Sequence, residues 1–145
     1  MVTVNQLLGT KGSEICSMTS NASSFDALKL MADNDVGAVL VIEAGKLVGI
    51  FSERDYARNS ILKGNSCVAS TVGQLMTREV YCVAPSDTIE DCMEIMTAKH
   101  FRHLPVLEDE KVVGILTLGD VVKHIISSRE HTIQELEKHI SGSGR

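Results

Sequence analysis

The feature that most constrains this chain is a nine-residue stretch used twice. Leu47-Val48-Gly49-Ile50-Phe51-Ser52-Glu53-Arg54-Asp55 returns 65 residues later as Val112-Val113-Gly114-Ile115-Leu116-Thr117-Leu118-Gly119-Asp120. Each copy reads as apolar run, glycine, apolar run, hydroxyl, two free positions, aspartate. The offset holds without a gap over the flanks, pairing Asp26 with Asp91, Met31 with Met96, Val41 with Val106, Lys46 with Lys111 and Ile61 with Ile126. A repeat of this length is one supersecondary unit made twice, each copy burying its apolar face against the other. Such a unit alone would be marginal, so the 145 residues are expected to share one core.

Within each copy the elements follow one order. Residues 15–18 and 81–83 read as short strands, each followed by a polar loop. Ser23-x-x-Asp26 and Asp87-x-x-Glu90 have the form of helix-capping boxes. They open helices whose apolar faces carry Leu28, Met31 and Ala32 in the first copy and Ile89, Cys92, Met93 and Met96 in the second. Core filling accounts for the methionines. Residues 38–42 and 104–107 are continuous apolar runs, suited to strands covered on both faces. Compact turns at 43–46 and 108–111 return the chain as antiparallel strands 47–51 and 112–116. Helices then begin at Ser52 and Thr117 and run to about Leu62 and Ser127.

A short helix is expected at 2–8. Its echo at 72–76 lies at an offset of 68, so the first copy holds three extra residues, placed at 9–13 where glycine and serine tolerate a loop. Residues 63–71 read as a linker. An amphipathic helix at 132–140, with Ile133, Leu136 and Ile140 on one face, precedes a Gly/Ser tail at 141–145.

Composition narrows the function classes. Hydrophobic residues at 43% and charged residues at 23% are those of a soluble globular protein. A net charge of -5 argues against nucleic acid as a partner. No apolar run approaches the ~18 residues of a membrane span, and the N-terminus lacks the apolar core of a signal peptide. Cys16, Cys67, Cys82 and Cys92 form no C-x-x-C pair. Cys82 and Cys92 lie in or beside apolar runs, where a thiol acts as a small core hydrophobe. The expectation is a cytoplasmic, reduced protein without a metal site, with His124, His131 and His139 on the surface. No nucleophile has an activating partner, so neither catalysis nor a catalytic cofactor is expected.

The repeated motif has two readings. Ser52 and Thr117 stand at strand-to-helix junctions, where free N–H groups and the helix dipole attract phosphate. Asp55 and Asp120 lie three residues on, and a carboxylate accepts two hydrogen bonds, as the vicinal hydroxyls of a ribose would offer. Gly49 and Gly114 permit close backbone approach. The alternative is plain capping: S/T-x-x-D at a helix start stabilises the helix by roughly 1 kcal/mol with no ligand at all.

The order strand, helix, strand, strand, helix, closed each time by G-h-h-[ST]-x-x-D (h apolar), resembles the cystathionine-beta-synthase (CBS) domain family arranged as a tandem pair, the Bateman module. Met76-Thr77 and Arg102-His103-Leu104-Pro105-Val106 look like further signatures of it. The resemblance spans about residues 2–128. It implies an α+β fold of two β-α-β-β-α repeats related by a pseudo-two-fold axis. The first repeat with its N-terminal helix is expected at 1–65, the second at 66–129, and a C-terminal helix and tail at 130–145.

The resemblance further implies two clefts between the repeats. In one, Asp120 would hold a ribose and Thr117 a phosphate, Thr10, Val36 and Gly37 would frame an adenine, and His103 would face the phosphate. In the other, Asp55 and Ser52 take those roles, with Thr77, Val80, Phe101 and Arg102 from the second copy and Arg54 reaching phosphate. Ala38 stands where the second copy has His103, and Gly37 where it has Arg102, so the clefts cannot bind phosphate alike. The implied function is a non-catalytic sensor of an adenine nucleotide, AMP foremost, with ATP, ADP or NAD as alternatives. It would act on a separate protein and form homodimers, which the helix carrying Ile133, Leu136 and Ile140 could extend. The rival is an interaction module with empty clefts or an S-adenosylmethionine-type ligand.

Overall fold

The computed structural model describes residues 1–12, 14–64 and 70–143. The two hairpins carry the repeat most faithfully. β2 (Ala38–Glu43) pairs antiparallel with β3 (Lys46–Ser52), and β4 (His103–Glu108) with β5 (Lys111–Thr117). Ala38 faces Ser52 as His103 faces Thr117, and each register shifts at the equivalent place, Val41/Ile42 and Val106/Leu107. The two-residue turns hold Ala44 and Gly45, and Asp109 and Glu110, all at positive φ, as the right-handed twist of a tight hairpin demands.

β1 (Ser17–Met18) adds a parallel strand beside β2. In the second copy the expected strand at 81–83 reduces to one parallel bridge, Val83 to Val106. The hairpins are flanked by α2 (Ser24–Asn34) and α5 (Ile89–Lys99). Ser23 caps α2 as expected, its hydroxyl accepting from Asp26 N. The cap of α5 lies one residue beyond the expected Asp87-x-x-Glu90: Thr88 and Asp91 form the box, while Asp87 accepts from the Ala84 N–H in the preceding turn. Thr88 and Asp91 are the 65-residue counterparts of Ser23 and Asp26, so the repeat was the better guide.

The strand faces explain how one sheet serves two cores. Val39 and Val41 turn toward Ala27 and Met31 of α2, and Phe51 joins them. Ala38, Leu40 and Ile50 turn the other way, against Val80, Val112 and Ile115 of the second copy. With period-2 alternation, both faces of β2 are therefore buried, which is why it reads as an unbroken apolar run.

The helices that precede the copies are exchanged. α1 (Val4–Lys11) sends Val4, Leu7 and Leu8 into the core of the second copy, beside Ile89, Cys92 and Leu104. α4 (Val72–Leu75) and the residue after it send Val72, Leu75 and Met76 into the core of the first. Thr3 and Thr71 cap these helices in matching boxes with Gln6 and Gln74. Gly49 and Gly114 serve this exchange. A Cβ on Gly49 would lie 2.6 Å from Met76 Sδ, and one on Gly114 2.8 Å from Leu8 Cδ2. The close approach made possible by these glycines is thus that of a neighbouring helix end.

After β3, α3 (Glu53–Tyr56) passes into a π-helical turn at Ala57–Ile61. After β5, α6 runs unbroken from Leu118 to Ser143. The expected separate helix at 132–140 is therefore the outer half of α6, which also takes in residues 141–143 of the expected tail. The linker expected at 63–71, with Cys67 and the 65/66 boundary, falls largely outside the described residues. Cys92 is buried as expected, and burial first, then nearby Asp87 and Asp91, pushes its thiol up to about 11. Cys82 is exposed. His131 and His139 are exposed, whereas His124 is half-buried. No helix among the described residues is long and apolar enough to cross a membrane.

Candidate functional site

Two clefts open where the hairpin of one copy meets the pre-strand segment of the other. The Asp55 cleft encloses about 340 Å³. It brings together Ser52, Arg54 and Asp55 from the first copy with Thr77, Phe101, Arg102 and His103 from the second. The Asp120 cleft encloses about 560 Å³ and brings Thr117, Asp120 and His103 together with Val36 and Gly37. Both volumes lie within the range of about 300–1,000 Å³ usual for small-molecule sites.

Two expected residues fall elsewhere. Val80 packs in the apolar interface between the copies, with Ala38, Leu40 and Ile50, and does not line the Asp55 cleft. Thr10 is exposed and donates its hydroxyl to Gln6 O of its own helix. α1 runs further than expected, to Lys11, and it is Lys11 that enters the Asp120 cleft. Its Nζ donates to Asp120 Oδ2 at 2.6 Å and to Ile115 O at 2.8 Å. Lys11 thus stands against Asp120 where Thr77 stands against Asp55. The hydroxyl of Thr77 donates to Asp55 Oδ1 at 2.9 Å.

Both aspartates close capping boxes. Asp55 Oδ2 accepts from Ser52 N at 3.0 Å and from Ser52 Oγ at 3.1 Å, and Asp55 N donates back to Ser52 Oγ. Asp120 Oδ2 accepts from Thr117 N at 2.9 Å, and Asp120 N donates to Thr117 Oγ1 at 3.0 Å. The helix starts are also less open than expected. Glu53 N donates to Gly37 O and Leu118 N to Arg102 O, so two of the first three N–H groups of each helix are already satisfied. Capping and cleft lining are therefore simultaneous. One oxygen of each carboxylate ties the helix start, while the other, Oδ1, holds only Thr77 in Asp55 and no partner in Asp120 among the described residues.

Charge divides the two sites. Arg54, Arg58 and Arg102 line the Asp55 cleft, all exposed and forming no ion pair among the described residues. His100 joins them from the left-handed C-terminal position of α5. Sequence reading missed Arg58 and His100. Arg58 was legible, one helical turn after Arg54, whereas His100 depends on the turn that ends α5. In the Asp120 cleft the missed residues include Lys11, Glu14 and Asp35. Burial tends to raise the Asp120 carboxyl, but the Lys11 ammonium and the Thr117 N–H outweigh it and hold the group below its ordinary value.

His103 lines both clefts, and a Cβ on Gly37 would sit 3.8 Å from its Nε2. Burial lowers its pKa below 6.5 against the opposing pull of Asp55 and Asp120, with Arg102 and Lys11 adding to the depression. The imidazole is thus neutral at pH 7. Phe101, tilted against Tyr81 with ring centroids 5.3 Å apart, offers the Asp55 cleft an aromatic face.

The family model for the CBS domain matches twice, at residues 13–61 and 72–127. The mitochondrial CBS domain-containing protein CBSX3 of Arabidopsis thaliana is 35% identical over 129 residues, 86% of this chain. The chain spans 63% of that plant protein's length. A solved protein with CBS domains from Burkholderia ambifaria MC40-6 is 42% identical, covering 87% of this chain and 95% of its own, with a TM-score of 0.84. The CBS domain pair of protein MJ0100, solved with 5′-methylthioadenosine and S-adenosyl-L-methionine, shares the fold at 23% identity and a TM-score of 0.79, covering 88% of this chain and 98% of its own.

Proposed function

Because the chain belongs to the CBS domain family and carries two copies in tandem, we propose that it is a non-catalytic regulatory module that binds an adenine nucleotide between its copies. AMP is the foremost ligand, with ATP, ADP and NAD as alternatives, and the output is delivered to a separate protein. The observation that carries this reading is the Asp55 cleft. A helix-start carboxylate faces Phe101 and three guanidinium groups without an ion pair among the described residues, in a space of about 340 Å³. A ribose hydroxyl donates to Asp55 Oδ1, an adenine stacks on Phe101, and the arginines take the phosphate, a contact guanidinium geometry suits.

The cleft is built from both copies, so a ligand in it favours the arrangement that brings them together. That difference in affinity between arrangements is what allows a signal. Titration calorimetry and thermal shift with AMP test the reading. AMP should raise the melting temperature, and Asp55→Ala or Arg102→Gln should each weaken binding by at least about tenfold. The Arg102 variant leaves the capping box intact, so it separates ligand contact from folding. Absence of AMP binding to the wild type sinks the reading, and a response to S-adenosylmethionine alone supports the rival ligand class.

The same reading includes a homodimer. Ile126, Ile133 and Ile140 recur at every seventh position of α6 with Leu136 between them, and all four are exposed. Isoleucine at a and leucine at d is the pattern of a coiled-coil seam, and residues 126–140 of α6 are all exposed, a state in which a helix is marginal in water. A second copy of α6 is the occupant proposed. Light scattering should give a dimer for the wild type and a monomer for Ile133→Glu with Leu136→Glu; a monomeric wild type removes the proposal.

A further inference from the structure

The clefts share one backbone and differ at the walls. At aligned positions the Asp55 cleft has His100 and Arg102 where the Asp120 cleft has Asp35 and Gly37. Arg54 stands where the second copy has Gly119. Counting arginine, lysine and carboxylate groups alone, three arginines against Glu53 and Asp55 leave the Asp55 cleft one net positive charge. Lys11 against Glu14, Asp35 and Asp120 leaves the other two net negative charges. Lys11 is itself spent, bonded to Asp120 and to the Ile115 carbonyl with only 26% of its side chain exposed. It is not free to meet a phosphate without abandoning both bonds.

We infer that the two clefts sort nucleosides by charge: the Asp55 cleft takes the phosphorylated one, and the Asp120 cleft takes one bearing a cationic group in place of phosphate. This rests on the reading that the clefts hold nucleosides. Asp120 Oδ1, without a protein partner among the described residues, accepts the sugar hydroxyl. The carboxylates of Glu14 and Asp35 set the potential that a sulfonium or ammonium substituent meets. A phosphate there meets the same groups as repulsion, because opposite charge at close range attracts and like charge repels with equal strength.

The matched probes are AMP and 5′-amino-5′-deoxyadenosine, which differ in carrying a phosphate or an ammonium group at the same carbon. Calorimetry of the full chain at low salt should show AMP weakened at least about tenfold by Asp55→Ala and changed less than about threefold by Asp120→Ala. The ammonium analogue should show the reverse. Lys11→Met, which leaves the Asp120 capping box intact, should tighten the ammonium analogue several-fold and leave AMP unchanged. Equal loss of AMP in both aspartate variants, loss of the ammonium analogue with Asp55, or no binding of that analogue to the wild type overturns the inference. Failure of AMP to bind at all overturns the function proposed above instead, so the two outcomes are distinct.

Discussion

The Asp55 and Asp120 clefts are the same object built twice and then given opposite surroundings. Each has a hairpin ending in a capping hydroxyl, an aspartate three residues on, and a wall from the segment before the other copy's hairpin. In the Asp55 cleft that wall is His100, Phe101, Arg102 and His103; in the Asp120 cleft it is Asp35, Val36, Gly37 and Ala38. What is alike is what the backbone enforces. Caps, bulges and positive-φ turns recur to the residue because a strand-to-helix junction needs its N–H groups satisfied whatever fills the cleft. What differs is exposed or half-buried side chain, Ala38 excepted, which little packing constraint holds. Duplication preserves a frame and releases its walls.

Transplanting one wall onto the other breaks the comparison most severely. Asp35→His with Gly37→Arg takes the Asp120 cleft from two net negative charges to none, and Gly37 has no positive φ to forbid a side chain. A second AMP-binding event should appear in calorimetry, with affinity gained by about tenfold or more over the unaltered cleft. If stoichiometry stays unchanged, the walls do not set the ligand.

A smaller effect comes from His103, the group the clefts share. Burial keeps it neutral in the free protein, with its pKa below 6.5. A phosphate beside Arg102 favours the charged form, so binding takes up a proton. Relative to His103→Gln, whose profile carries only the second ionisation of the AMP phosphate at about 6, wild-type AMP affinity should gain as pH falls from 7.5 toward 6, by up to about tenfold for each unit the bound ligand raises the group. Coincident profiles would place the phosphate away from this wall.

The smallest expected effect distinguishes how each aspartate is held. Thr77→Val removes a hydroxyl from Asp55 and should cost about 0.5–1.5 kcal/mol of stability by denaturant titration. Lys11→Met removes an ion pair whose members are each about a quarter exposed, and should cost about 0–1 kcal/mol, less at high salt. The Asp120 carboxyl lies below its ordinary 3.8 in the folded chain. Its contribution is therefore present above that value and lost as pH falls through the folded pKa, and Lys11→Met should shrink that acid-side loss.

The sequence by itself determined the repeat, the strand order, both hairpins and the pair of helix-start aspartates. These follow from local physics: alternation of apolar residues along a strand, turn residues, and hydroxyls three positions from carboxylates. It also held the asymmetry of the walls, since Gly37 against Arg102 and Ala38 against His103 can be read straight from the offset. Only the tertiary structure decided that α1 and α4 change places between the cores, which assigns Gly49 and Gly114 to packing against Met76 and Leu8. It also decided that Lys11 rather than Thr10 meets Asp120, because α1 continues through residues 9–11, past the point where its pattern fades. Val80 left the cleft for the interface on the same grounds. Which cavity or core a side chain reaches depends on how two distant segments dock, and an apolar or flexible residue carries no mark of that partner in its own neighbourhood.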